Sequence, residues 1–138
     1  MNLVDTSLVF ALVSAEDEHH AEAVTWYSNT EGALVTTPLA VAELDHLLRR
    51  WGSEQGLRSV YAQLESGALS VVWWGDALGT ILRSVRRRLD IGLVDASLIA
   101  LAAHLGTARI VTFDQRHFRT LKPLTGEPAF TLLPADAD

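Results

Sequence analysis

Asn2-Leu3-Val4-Asp5-Thr6-Ser7-Leu8 decides how this chain is read. Leu3 and Val4 form a short apolar run of the kind that is buried in a strand. Asp5 stops it. An unpaired carboxylate is expensive to bury, so an acid at this point needs a purpose. Two small hydroxyl residues follow, and a second apolar stretch begins at Leu8. The pattern is a strand feeding a helix, with an acid at the strand's C-terminal end. In open parallel α/β sheets that is where ligands bind.

Strands and helices alternate from there on. Leu8–Ser14 reads as a short helix, and Asp17 or Glu18 starts another that ends before Gly32. Ala33–Thr36 is a strand. Thr37 as N-cap and Pro38 at the first helical position start a helix that runs to Trp51. Its apolar stripe is Val41, Leu44, Leu47, Leu48 and Trp51. A helix over about 54–65, a strand over 69–73, and a helix capped by Asp76 follow. In the last of these Leu78, Ile81, Leu82 and Val85 are expected to face inward. Leu93–Leu105 is apolar on nearly every side and reads as a buried helix ended by Gly106. Arg109–Thr112 and Phe130–Leu133 read as the last strands. The alternation predicts one α/β domain over residues 1–133, an α/β/α sandwich with a mostly parallel central sheet. Residues 134–138 are expected to fray.

Bulk properties exclude several classes. At 138 residues the chain suits one domain with a proper core. Its hydrophobic share of 49% and charged share of 20% are ordinary for a globular protein. No apolar run is long enough for a membrane span. The N-terminus lacks the basic start of a signal peptide, and Asp5 interrupts its apolar run. With no cysteine there is no disulfide framework or thiolate metal site, and the cytoplasm is the expected location. The net charge of −6 is lopsided. Residues 1–48 carry no Lys or Arg, whereas residues 49–122 carry all eleven basic residues of the chain. Such a basic stretch binds a polyanion locally, or is simply a solvated arginine face.

Most acids lie in polar surroundings: Glu16, Asp17, Glu18, Glu22 and Glu31 read as a solvated face. Four are embedded in apolar sequence: Asp5, Glu43 in Ala42-Glu43-Leu44, Asp95 in Val94-Asp95-Ala96-Ser97, and Asp114 after Val111-Thr112-Phe113. Taken singly, Asp95 and Asp114 are ordinary first-turn acids, and Glu43 reaches water from a helix edge. Taken together, all four fall near strand ends or helix starts, which a parallel sheet gathers along one edge. Carboxylates about 4 Å apart repel by roughly 4 kcal/mol at an effective dielectric near 20. A cation is the natural remedy, and oxygen-only donors suit Mg²⁺ or Mn²⁺.

With these motifs in this order, the chain resembles the PIN-domain ribonucleases, specifically the VapC-type toxins of bacterial toxin–antitoxin pairs. The resemblance rests on Val4-Asp5-Thr6-Ser7, Ala42-Glu43-Leu44, Val94-Asp95-Ala96-Ser97 and Thr112-Phe113-Asp114-Gln115-Arg116-His117-Phe118. It implies Asp5 and Asp95 as principal Mg²⁺ ligands, with Mn²⁺ as a substitute. Glu43 and Asp114 complete the acidic pocket, and Ser7 and Thr112 match accessory polar positions. It further implies cleavage of an RNA phosphodiester to 5′-phosphate and 3′-hydroxyl ends, a cognate antitoxin, and a homodimer. Arg49, Arg50, Arg86, Arg87, Arg88 and Arg116 are candidate phosphate contacts. Asp90 serves a turn or orients a metal-bound water. The histidines are scattered and carry no expected role. The competing readings are a phosphatase or receiver-like domain with an acidic pocket, and a non-catalytic PIN-like binding domain. Against the first, Ser7 stands where such a phosphatase needs a second Asp.

Overall fold

The computed structural model describes residues 1–137. The strands are β1 (Asn2–Leu3), β2 (Leu34–Thr36), β3 (Leu69–Val71), β4 (Arg109–Val111) and β5 (Thr131–Leu133). The helices are α1 (Thr6–Val13), α2 (His20–Ser28), α3 (Pro38–Trp51), α4 (Glu54–Ser66), α5 (Ala77–Arg87), α6 (Leu93–Leu105) and α7 (Gln115–Phe118). Every strand pairing is parallel: β1 with β2, β2 with β3, and β4 with β5. A parallel bridge between Val4 and Val111 joins the two ladders. The spatial order is therefore β5-β4-β1-β2-β3, with β1 at the centre. The backbone N–H of Val4 bonds to Val35 O at 3.0 Å, and that of Asp5 to Val111 O at 3.1 Å.

The twofold alternation of strand side chains divides the core into two layers. Leu3, Val35, Ile110 and Leu132 point toward α5 and α6. Val4, Leu34, Leu69, Val111 and Leu133 point toward Leu8 of α1, Ala23 of α2, Leu44 and Leu48 of α3, and Val60 of α4. The result is the α/β/α sandwich that the sequence predicts. Helix α6 is buried from Ala96 to Ala102, in accord with its uniformly apolar sequence.

The caps explain where the helices begin. Thr37 accepts from Ala40 N at 3.2 Å, and Ser53 accepts from Gly56 N at 3.0 Å. Asp76 sits at the N-cap of α5 without a side-chain bond to the helix, contrary to expectation. The inward stripe of α5 also differs: Ala77 and Ile81 are buried, while Leu78 and Leu82 are 57% and 40% exposed. The inward row runs i, i+4 through Ala77 and Ile81, which leaves Leu78 and Leu82 on the flank. Trp51, expected on the buried face of α3, is 69% exposed at the helix end.

Residues 134–137 make hydrogen bonds back to the end of β5. Asp136 N bonds to Leu132 O at 2.7 Å, and its carboxylate accepts from Leu132 N at 2.8 Å and from Arg119 Nη1 at 2.7 Å. The Arg119 guanidinium pulls the Asp136 carboxyl down to about 2. Asp138 lies outside the described residues. No described helix is long and apolar enough to cross a membrane.

Candidate active site

Asp5 leaves the central strand with extended backbone (φ −93°, ψ 176°) and caps α1, its Oδ1 accepting from Leu8 N at 3.2 Å. It is only 6% exposed. Two hydroxyls serve its two oxygens: Ser7 Oγ donates to Oδ1 at 2.6 Å, and Thr112 Oγ1 donates to Oδ2 at 2.6 Å. Both hydroxyls are themselves fixed by the chain beyond β4. Phe113 N donates to Ser7 Oγ at 2.9 Å, and Asp114 N donates to Thr112 Oγ1 at 2.9 Å. One network thus locks the end of β1 to the end of β4.

The electrostatics are strained. Burial pushes the Asp5 carboxyl up to about 6; the bonds from Ser7, Thr112 and Leu8 pull the other way, and the nearby Asp114 charge adds to the rise. Asp95, in the first turn of α6, is also raised by burial, opposed by His117 and reinforced by Asp114. A carboxylate that is desolvated beside other carboxylates is poorly served by its own protein and gains from a cation.

A cavity of about 480 Å³ opens over this point, lined by Asp5, Asp17, Glu43, Asp95 and Asp114, together with Thr6, Ser7, Phe10, His19, Leu47, Trp51, Leu98 and Phe113. All four acids singled out in the sequence therefore face one cavity. Asp17 joins them, although its neighbours Glu16 and Glu18 made it read as a solvated acid. It is turned inward by a tight turn in which its Oδ1 accepts from His19 N at 2.8 Å. Two histidines expected to be bystanders also meet the site. His19 stacks on Phe113 with centroids 4.5 Å apart and planes 3° from parallel. His117 Nε2 lies 2.6 Å from Asp95 Oδ2.

Other residues lie elsewhere. Asp90 pairs with Arg88 at 2.6 Å and serves its turn. Arg86, Arg87, Arg88 and Arg116 do not line the acidic cavity, nor do Arg49 and Arg50. Arg49 binds Asp45 at 2.9 Å, and Arg50 lies over Trp51 at 4.9 Å. Thr37 and Ser97, both fully buried, share a hydrogen bond of 2.7 Å that fixes the start of α3 to α6. It sets the relative placement of Glu43 and Asp95.

The donor set fits a hard divalent cation. It is made of carboxylate and hydroxyl oxygens, with no thiolate in the chain. Thr6 Oγ1 is buried at this cavity without a hydrogen-bond partner among the described residues. No three of the acids and histidines form a ready-made cage among the described residues, so bound water would have to complete the coordination.

Comparison with known proteins identifies the family. The family model described as PIN domain matches residues 3–122. The chain is 33% identical over 135 residues to Ribonuclease VapC26 of Mycobacterium tuberculosis, covering 96% of this chain and 99% of the relative. Its fold matches the crystal structure of VapC20 of the same organism, a sarcin–ricin loop cleaving toxin. That match has a TM-score of 0.75 at 22% identity and covers 83% of this chain and 91% of the other. The chain belongs to the PIN-domain family, among the VapC ribonucleases, which are RNA-cleaving hydrolases.

Proposed function

We propose that this protein is a Mg²⁺-dependent endoribonuclease toxin, with Asp5, Glu43, Asp95 and Asp114 as its catalytic acids. The observation that carries the reading is the buried Asp5 at the end of the central strand, facing one cavity with the other three acids. Asp5 and Asp95 are the carboxylates that burial makes most receptive to a cation, and they would hold Mg²⁺, with Mn²⁺ as a substitute. The ion, when bound, lowers the pKa of a bound water and stabilises charge on the phosphoryl oxygens. Glu43 is only partly buried and Asp114 is exposed, so both are able to orient a water and take its proton. Ser7 and Thr112 hold the Asp5 carboxylate in a fixed orientation through their bonds of 2.6 Å. In-line attack on phosphorus then breaks the bond to the 3′-oxygen, leaving 5′-phosphate and 3′-hydroxyl ends.

A toxin of this kind needs a cognate antitoxin. Leu12, Trp26 and Leu57 are partly buried on the layer formed by α1, α2 and α4, and Tyr61 is exposed on α4 beside it. These residues support a groove for an amphipathic segment. The exposed Leu78, Leu82, Leu89 and Leu93 support a homodimer through α5 and the turn into α6. The test of function is sequencing of RNA 5′ ends after induced expression. Wild type should produce new 5′-phosphate ends at defined sites, and Asp5→Ala should produce none. Identical end profiles would remove the ribonuclease assignment from this cavity.

A further inference from the structure

A second cavity, of about 490 Å³, opens between α5, the turn into α6 and the segment after α7. It shares no lining residue with the acidic cavity. Its polar lining includes Arg83, Arg87, Arg88 and Lys122, and no acid is among its lining residues. Lys122 is the only lysine of the chain, in a protein of net charge −6. Arginines at the end of α5 complement the helix dipole, which would explain them alone. It does not explain Lys122, which comes from a different segment and converges on the same space.

The cavity is also built rather than improvised. Arg88 donates to Thr120 O at 2.9 Å and pairs with Asp90, tying one wall to the other. Arg83 donates to Thr80 Oγ1 at 3.1 Å. Arg87 and Lys122 line the cavity and make no ion pair among the described residues. Ile91 and Ile99 supply apolar wall between these cations.

We propose that this cavity is a second RNA subsite, holding a backbone phosphate that flanks the scissile one. The proposal rests on the ribonuclease reading of the acidic cavity. Helix α7 has four residues and is about 6 Å long. It lies in the chain between Asp114 of the acidic cavity and Thr120 of the cationic one, which places the two cavities at either end of one short segment. Phosphate binding of this kind positions the strand without reading its sequence.

The test is the binding of labelled oligouridylates of increasing length in EDTA, with Arg87→Ala/Lys122→Ala compared with wild type. Arg58→Ala is the control, because Arg58 is paired with Glu54 on α4. Wild-type affinity should rise with length. The double variant should lose that gain, and the slope of log affinity against log salt should flatten by about 0.7 for each phosphate that is no longer neutralised. Thermal melts of these exposed variants should match wild type, which separates weakened binding from a damaged fold. Unchanged oligouridylate binding and salt slope would overturn the subsite. If the variant instead keeps oligouridylate binding but no longer binds polyglutamate, the cavity receives an acidic protein segment and the proposal is equally overturned. Metal-dependent cleavage of cellular RNA by the same wild-type preparation reports on the acidic cavity separately, so the two readings fail independently.

Discussion

Asp5 is the most deeply buried of the acids that line the cavity. Its folded pKa of about 6 lies above the ordinary value of 3.8, because it is buried. The folded chain therefore binds this proton more tightly than the unfolded chain does. The stability Asp5 contributes is fully present below 3.8 and is lost as pH rises toward 6. The loss amounts to roughly 3 kcal/mol, at 1.36 kcal/mol for each pKa unit. In EDTA, melts of Asp5→Asn should lack this fall between pH 4 and pH 6 that wild type shows. A divalent cation competes with the same proton, so cleavage should decline below about pH 6, with a midpoint that moves lower as metal is added. A midpoint indifferent to metal concentration would separate the proton from the metal site. Thr112→Val tests the network around Asp5: it keeps the shape but removes one bond to Asp5 Oδ2 and strands Asp114 N. Stability should fall by about 1–3 kcal/mol, and the pH midpoint of cleavage should move upward. The four acids embedded in apolar sequence were legible as a set rather than singly. Asp17 and His19 were not, because a tight turn rather than a sequence pattern aims them at the cavity.

At the scale of elements, what the sequence made plain was what local chemistry controls. Thr37-Pro38 starts α3 where its cap requires, and α6 is buried along the length of its apolar run. What it left obscure depends on partners. Leu78 and Leu82 face outward because the α5–α6 packing selects the row through Ala77 and Ile81. Helix α7 was missed because four residues give no period to read. The approach of α4 to α1 is another such feature. A Cβ at Gly56 would meet Val13 O at 2.9 Å and Ser53 Oγ at 3.3 Å. Gly56→Ala should therefore destabilise the fold by about 1–3 kcal/mol despite its gain in helix propensity, as read by urea denaturation. A neutral or stabilising effect would mean that the two helices separate freely.

For the whole molecule, the parallel sheet with β1 at its centre brings Asp5 of β1's end, Glu43 of α3, Asp95 of α6 and Asp114 beyond β4 to one edge. A fold that gathers like charges should be stabilised by the cation it is proposed to bind. At ten times its dissociation constant Mg²⁺ should add about 1.4 kcal/mol, or roughly 3–6 °C in Tm for a domain of this size. Asp95→Asn should lose most of that response while melting in EDTA near or above wild type. If it melts lower and responds fully, Asp95 is a structural residue of the α6 start. In the proposed function one acidic cavity cleaves RNA with the help of a divalent cation. The most direct measurement is cleavage of cellular RNA by purified protein, with Mg²⁺ and with EDTA, for wild type and Asp5→Asn. Wild type should cleave in Mg²⁺ and not in EDTA, cleavage should return when Mg²⁺ is added in excess of the chelator, and Asp5→Asn should not cleave. Cleavage that persists in EDTA, or that survives Asp5→Asn, would contradict a metal-dependent site at Asp5.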